Sequence, residues 1–563
     1  GGIMPKEKKR AGQALVEALL AEGVEVVFGL AGSHIHAICD ALIDAPGIRF
    51  VVCKHENNAA LMADLYGRLT GRPGVCLVTA GPGATNSMTG VAQAFAVGSP
   101  LIHISGTVPR GAKKGSFHGV DRPDFLERAF SDVTKWSVEI DEAEDIPRVL
   151  AEAFSLACQG RPGPVHIDLP EDLLGEPPTE VWGYERQTSG AVPDRDLVER
   201  IAKTMLAATK PMICAGVAVR GSEAGADLVQ VAERLGAPVT FSRNATDVFP
   251  SMHHLCAGAF NSYPDNPFPL QLVEQSDALL VIGMRGDTAA AELLRAKAPG
   301  ESIFLVPEGE SSVVEGASMS ATVDCKALLS LLKDHIVARK SEGIGWAGQR
   351  IAEVRDLLRR GLEREVESYR GHRPLHFGLA VKELIPLLDD DALVLGDIGT
   401  HGVWASRCFE LCGEQTYLEP GSWGAMGFAL PAAIAGKLMQ PDRQVVGITG
   451  DGAFLMSCSD FGTALELGTK IVLVVLDDRQ YGMIYRLQTD DFGRTIGTEL
   501  RPPDLVKFAE SFGAVGIRVE DDAELENAYT QALEADVPVI VDVVCGYGFP
   551  HPFPAEWLRE GAG

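Results

Sequence analysis

Short aliphatic runs alternating with amphipathic helical stretches constrain this chain more than any other feature of it. A run such as "KIVLVVL" (Lys470 to Leu476) is apolar almost throughout and rich in β-branched side chains. It is too short for a helix pattern and has no polar face, so it reads as a strand covered on both sides. Comparable runs are "VEVVFGL", "IRFVVC", "GVCLVTA", "PLIHISG" and "GPVHIDLP" early in the chain. "KPMICAG", "APVTF", "DALLVIGM" and "SIFLVPE" follow in the middle, and "ALVLGDIG", "QVVGITGDG" and "VPVIVDVV" near the end. Strand–helix alternation of this kind builds parallel sheets with helices on both faces. The expected fold class is α/β, with three doubly wound parallel-sheet domains.

At 563 residues the chain exceeds what one core can organise. Two stretches read as linkers. "LGEPPTEVWGYERQTSGAVPD" (Leu174 to Asp194) is rich in Pro, Gly and polar residues. Residues 338–376 contain "IAEVRDLLRRGLEREVESYR", a helical pattern without a wide apolar face, expected to lie across the surface as a connector. The expected domains are therefore 1–185, 190–340 and 365–563. A net charge of −27 argues against nucleic acid or an anionic membrane as partner, since both call for basic patches. No apolar stretch is long enough to span a bilayer, and no apolar segment follows "GGIMPKEKKR" to make a secretory signal. The 11 cysteines lack paired spacing and sit mostly in apolar runs, as Cys53, Cys76 and Cys214 do. That pattern suits reduced thiols and a cytoplasmic location. Cys408 and Cys412 have no second ligand pair nearby, so no zinc site is expected.

In doubly wound sheets ligands bind at the carboxyl ends of strands. Asp397, Asp451 and Asp478 all fall there within the last segment. In "ITGDGAF" (Ile448 to Phe454) glycines let the backbone turn sharply, and the helix that follows offers its positive end to a phosphate. Asp477 and Asp478 interrupt an apolar strand; they either open a solvent-facing loop or hold a ligand. Asp451 and Asp478 are 27 residues apart, enough for a helix and a returning strand. Two carboxylates beside a phosphate-binding turn call for a hard divalent cation such as Mg2+ between them and a diphosphate. There is no GxGxxG after a strand and no GxxxxGK[ST], so dinucleotide and P-loop chemistry have little support. "AGPGATNS" (Ala80 to Ser87) is either a tight strand-to-helix turn or a phosphate loop.

The GDG turn, the 27-residue gap and "DDRQYGMI" resemble the diphosphate-binding motif of thiamine-diphosphate-dependent enzymes. The resemblance implies thiamine diphosphate and Mg2+ as cofactors, with Asp451, Asp478 and the main-chain carbonyl of Gln480 as metal ligands. Family members usually carry Asn where Asp478 stands, though an aspartate still supplies the oxygen; Asp477 receives no role. Gly450, Gly452, Ala453, Tyr481, Gly482 and Met483 complete the implied cofactor contacts of that motif. "DIGTHGVW" is similar to the segment that contacts the diphosphate, here Ile398, Gly399, Thr400 and His401. "GSWGAMGFALPAA" matches the segment that grips the aminopyrimidine. By resemblance the Gly424 carbonyl accepts from the 4′-amino group and Met426 is the apolar wedge that bends the cofactor. Glu56, at the strand-to-helix junction of "VVCKHENNAALM", matches the glutamate that hydrogen-bonds N1′ and promotes the imino tautomer.

Within that family "GPGATN", "DIGTHGVW" and "YGMIYRLQTDDFGRTIGTELRPPDLVKFAESFGA" look most like acetolactate synthases. This implies decarboxylation of a pyruvate-like 2-oxo acid with carboligation to a second 2-oxo acid. The alternatives are a benzaldehyde-lyase-like 2-hydroxy ketone lyase or aldehyde carboligase, and a simple 2-oxo acid decarboxylase. Two departures favour close attention to histidine. His118 in "GSFHGVD" replaces a family glutamine, and His34 in "FGLAGSHIHAI" stands where benzaldehyde-lyase-like members carry a catalytic histidine. Both could move protons to and from a hydroxyl. His36, His55 and His103 read as structural, and Leu487 falls in the stretch that lines the acceptor pocket. Because the family's glutamate and diphosphate motif come from different subunits, a homodimer is the minimal unit and a homotetramer is expected. The substrates would be small 2-oxo acids or aldehydes. "IGMRGDTAAAELL" matches the flavin-contacting stretch of acetolactate synthases only at Arg285, so FAD is allowed but not favoured. The tail "PFPAEWLREGAG" is unlike the membrane-binding C-terminus of pyruvate oxidase relatives.

Overall fold

A computed structural model of the chain describes residues 7–546, apart from 113–114, 123, 178, 182, 188–192, 221, 261–265, 299, 311–313, 337–344 and 414. The tail from 552 onward lies outside the described residues. The chain divides into two compact units, 1–190 and 191–563.

The first unit is built on one six-stranded sheet, in the order Arg49–Val52, Val26–Gly29, Gly74–Val78, Leu101–Thr107, Pro164–Pro170 and Trp136–Glu139. Every neighbouring pair in it is parallel. The interior strands are buried at every residue, as their unbroken apolar runs require. A separate antiparallel pair joins Glu7–Lys9 to Thr179–Val181. The helix Glu56–Thr70 follows its strand directly. His55 caps it by accepting from the Asn57 amide at 3.1 Å, and Gly71 closes it in the left-handed conformation.

The second unit holds two further six-stranded parallel sheets. One runs Cys256–Phe260, Val239–Ser242, Pro211–Ala215, Ala278–Ile282, Glu301–Pro307 and Met319–Val323. The other runs Thr416–Leu418, Leu393–Gly396, Val445–Gly450, Val472–Asp477, Val539–Val544 and Val515–Val519. Three doubly wound parallel sheets are therefore present, as expected. In the last sheet the strand order reverses between Leu393–Gly396 and Val445–Gly450, and a ligand crevice forms at such a switch point.

The expected surface connector behaves otherwise. Residues Gly348–Ser368 form a helix whose Ile351, Val354, Leu358, Leu362 and Val366 are buried. This narrow stripe, spaced by three and four residues, belongs to one continuous core. That core takes Met212 and Phe304 from the central sheet and Val446, Val474 and Val541 from the last. On the helix's polar side the Arg355 guanidinium donates to the carbonyls of Ser251, Met252, His253 and Cys256. The helix thus joins the two sheets into one unit. All 11 cysteines are free, and among the described residues no helix is long and apolar enough to cross a membrane.

Candidate active site

In the second unit the strand Val445–Gly450 ends at the Gly-Asp-Gly turn, and its hydrogen-bonded neighbour Val472–Asp477 ends at the acidic pair. The strand continues one residue further than its apolar run, because Asp477 is buried and paired with Val544. Its Oδ1 accepts from the Arg479 amide at 3.1 Å. Arg479 then adopts φ 55°, a costly conformation for a residue with a Cβ. The turn is held open at this point by Tyr481 N donating to the Thr498 carbonyl and Leu500 N to that of Arg479, each at 2.8 Å. Asp478 Oδ1 accepts from the Gln480 amide at 3.2 Å.

Asp451 is buried; its Oδ1 accepts from Gly452 N at 2.8 Å, while its Oδ2 is buried without a hydrogen-bond partner. Burial, together with the charges of Asp478 and Asp477, raises the Asp451 carboxyl above the ordinary range. Burial and Asp477 push Asp478 up to about 7. Three crowded carboxylates with an orphaned oxygen are what a hard cation would relieve, so these residues fit Mg2+. No group of three or more His, Cys, Asp or Glu side chains converges on a metal position among the described residues. The expected centre differs in using two side chains and a main-chain carbonyl.

His401 lies in the first turn of the helix Thr400–Cys412, and its ring closes over two glycines. A Cβ at Gly450 would stand 2.6 Å from His401 Nδ1, and one at Gly399 2.6 Å from its Cε1. Burial pushes the imidazole down to about 3, so the ring is neutral, and its Nε2 is buried without a partner. A neutral imidazole can present an N–H to a phosphate oxygen in a dry site. Gly452 similarly accommodates Tyr481, whose ring would lie 2.7 Å from an added Cβ. The helix behind the Gly-Asp-Gly turn has only 7 residues, Asp451–Ser457, so its dipole contributes less than the motif suggests. Ala453 is buried within it. Gly482 and Met483 open the helix Gly482–Phe492, none of whose residues is buried, Leu487 included. Gly424, at φ 68°, and half-buried Met426 lie on the loop before the helix Ala429–Met439. Ile398, whose side chain would meet a Gly424 Cβ at 3.6 Å, lies beside that loop.

Asp397, also at a strand end, turns inward. Its Oδ1 accepts from the amides of Ile398 and Gly427 at 2.9 and 3.0 Å. Its Oδ2 accepts from Ala429 N at 3.1 Å and the Thr449 hydroxyl at 3.2 Å. Its carboxylate thus ties Ile398 and the start of the helix Ala429–Met439 to the strand Val445–Gly450.

In the first unit Glu56 is buried at the start of its helix, and its Oε2 accepts from Asn86 Nδ2 at 3.0 Å. A Cβ at Gly83 would lie 3.5 Å from Glu56 Oε1 and 2.8 Å from Thr79 Cγ2. Thr79 Oγ1 in turn stands 3.4 Å from His34 Nδ1, which also meets Ser33 Oγ at 3.0 Å. His34 is buried, with Nε2 3.5 Å from Glu171 Oε2. Burial lowers its pKa, opposed by Glu171. His118 stacks on it with ring centroids 5.0 Å apart, at φ 62° and with Nδ1 buried and unpartnered. Two features call for glycine at Gly81: its φ is 58°, and the His118 carbonyl oxygen would stand 2.3 Å from an added Cβ. Glu56, His34 and His118 thus gather around the Thr79–Gly83 turn. His103 lies inside its strand instead, bonded to His166 and Ser87. Sequence reasoning missed Asn86, Thr79 and Glu171. Asn86 had one signal: it is a poor helix former inside a helix, Pro82–Val97.

A buried glutamate at one sheet's carboxyl edge and a carboxylate pair at another's switch point are the features that the resemblance to thiamine diphosphate-dependent enzymes implies. Residues 9–127 match the N-terminal TPP binding domain of thiamine pyrophosphate enzymes. Residues 198–308 match their central domain and 397–543 their C-terminal TPP binding domain. The chain belongs to this family, whose members make and break carbon–carbon bonds. It is similar to the acetolactate synthase of Bacillus subtilis, with 32% identity over 564 residues covering 96% of this chain and 94% of that protein. The acetolactate synthase isozyme 3 large subunit of Escherichia coli is 30% identical over 581 residues, covering 98% and 96%. The acetolactate synthase large subunit of Corynebacterium glutamicum is 30% identical over 562 residues, covering 96% and 87%.

In the loop after the strand Ala278–Ile282, Arg285 makes a two-point ion pair with Asp287 at 3.0 and 2.7 Å and lies 3.5 Å from Glu310.

Proposed function

We propose that the protein is an acetolactate-synthase-like enzyme, dependent on thiamine diphosphate and Mg2+. It decarboxylates a pyruvate-like 2-oxo acid and joins the two-carbon fragment to a second 2-oxo acid. The observation that carries this reading is the unpartnered, buried Asp451 Oδ2 beside Asp478 at adjacent strand ends. The full-length similarity to acetolactate synthases supports the choice of reaction.

Bound thiamine diphosphate supplies the electron sink that carbanion chemistry at a carbonyl carbon needs. The chain's own residues do the rest. Asp451, Asp478 and the Gln480 carbonyl would hold Mg2+ against the diphosphate, and His401 Nε2 would add an uncharged donor. Gly424 and Met426 would position the pyrimidine. Glu56, steadied by Asn86, would hold or release a proton at the pyrimidine ring. His34 and His118 would move protons at the substrate's oxygen. The active unit would be a homodimer, pairing Glu56 of one subunit with the diphosphate loops of the other, and dimers would pair into a tetramer.

Incubation with pyruvate, thiamine diphosphate and Mg2+ tests the reading by product analysis. Acetolactate and CO2 are expected, and Glu56→Gln should abolish both while still binding the cofactor. Acetaldehyde without acetolactate, or turnover only of 2-hydroxy ketones, would overturn it.

A further inference from the structure

The loop that carries Gly424 and Met426 lies between the strand Thr416–Leu418 and the helix Ala429–Met439. Its far end is fixed by the Asp397 carboxylate, through Gly427 N and Ala429 N. Its near end is held from the central sheet, by a residue just past the strand Val239–Ser242. Asn244 Oδ1 accepts from Ser422 N at 2.8 Å, and Asn244 Nδ2 donates to Ser422 Oγ at 2.8 Å. This two-point clamp bridges 178 residues of sequence. Arg243 adds a contact to Glu419 at 3.6 Å.

Asn244 is itself held from behind. The buried Arg220 guanidinium donates to its carbonyl at 2.5 Å and makes a two-point pair with Asp247 at 2.6 and 3.0 Å. Arg220 follows the turn Val217–Val219, at the carboxyl edge of the central sheet. The central domain therefore reaches the loop through a chain of fixed hydrogen bonds, Arg220 to Asn244 to Ser422.

We infer that Asn244 is a positioning residue for the cofactor, holding the loop so that Gly424 and Met426 meet the aminopyrimidine in the bound geometry. This rests on the thiamine diphosphate reading above. The loop lies outside the strands and helices, and a segment held in its bound shape beforehand spares the ligand the cost of ordering it.

The test is calorimetric titration of thiamine diphosphate with Mg2+ into the full chain, its Asn244→Ala form and its Ser422→Ala form, with thermal unfolding of each apo protein. Loss of both clamp bonds should raise the Kd about fivefold to tenfold, and Ser422→Ala, which keeps the amide bond, about twofold to threefold. The apo unfolding midpoints should stay near wild type, because the pair is solvent-exposed. Should Asn244→Ala not fold, Asn244→Asp keeps the acceptor, loses the donor, and should match Ser422→Ala. Wild-type affinity in the Asn244 variants overturns the proposal while leaving the cofactor reading intact. A wild-type protein that binds no thiamine diphosphate overturns the reading and the proposal together.

Discussion

Mg2+ binding should release protons, and its affinity should climb steeply with pH. Asp478, whose carboxyl would ordinarily titrate at 3.8, stands at about 7 because of burial and the neighbouring Asp477. Asp451 is raised from the same starting value by burial and by both neighbours. With raised values, the folded apo protein holds these protons more tightly than the unfolded chain. Their contribution to stability is full below the ordinary carboxylate range and is lost as pH rises through the raised values. A cation reverses the sign, because it binds the anions that repel one another in its absence. Between about pH 8 and about pH 6 the ionised fraction of Asp478 falls roughly tenfold, so the apparent Mg2+ affinity should fall at least as much. Asp451, pushed up to about 8, titrates in the same window, so the combined fall exceeds roughly a hundredfold. Calorimetric titration of Mg2+ in buffers of different ionisation enthalpy counts the protons released. Asp478→Asn should lower that count by about one and flatten the pH slope. Affinity that stays level across the window, with no proton release, would refute the crowded-carboxylate argument.

Three further predictions follow from single contacts. Gly450→Ala places a Cβ 2.6 Å from the His401 ring, and should cost about 1–3 kcal/mol in denaturant unfolding and weaken cofactor binding. Wild-type behaviour would show that the ring is not held there. Leu362→Ala empties a fully buried position in the helix that joins the two sheets of the second unit, and should cost about 2–5 kcal/mol in urea unfolding. A loss below about 1 kcal/mol would mean that this helix is not a core element. Asp397→Asn sets an amide N–H2 against the Ala429 or Gly427 amide, leaving a buried donor unmatched at about 1–3 kcal/mol. Unchanged stability and unchanged thiamine diphosphate affinity would remove Asp397 as the anchor of that loop.

The sequence alone determined the interior strands and the local motifs. Runs such as Val472–Asp477 and Leu101–Thr107 are buried on both faces, so their composition leaves no other reading. The Gly-Asp-Gly turn could be read locally as a sharp turn, whereas the acidic pair by itself left a loop and a ligand site both open, and Glu56 was reached only through the resemblance to thiamine-diphosphate-dependent enzymes. In the three six-stranded sheets the strands not foreseen, Trp136–Glu139, Cys256–Phe260, Met319–Val323, Thr416–Leu418 and Val515–Val519, are all at sheet edges. An edge strand has one neighbour and partial cover, so sequences such as "WSVE" or "VGIRV" keep polar residues and lose the signal. The stripe at Ile351, Leu358 and Val366 was present in the sequence, but only packing revealed that two sheets lie against it. Tertiary structure also decided who holds whom. Asn86 meets Glu56 across 30 residues, and Asn244 meets Ser422 across 178. Pairings of that kind depend on where the chain returns in space, which no local pattern of residue types encodes.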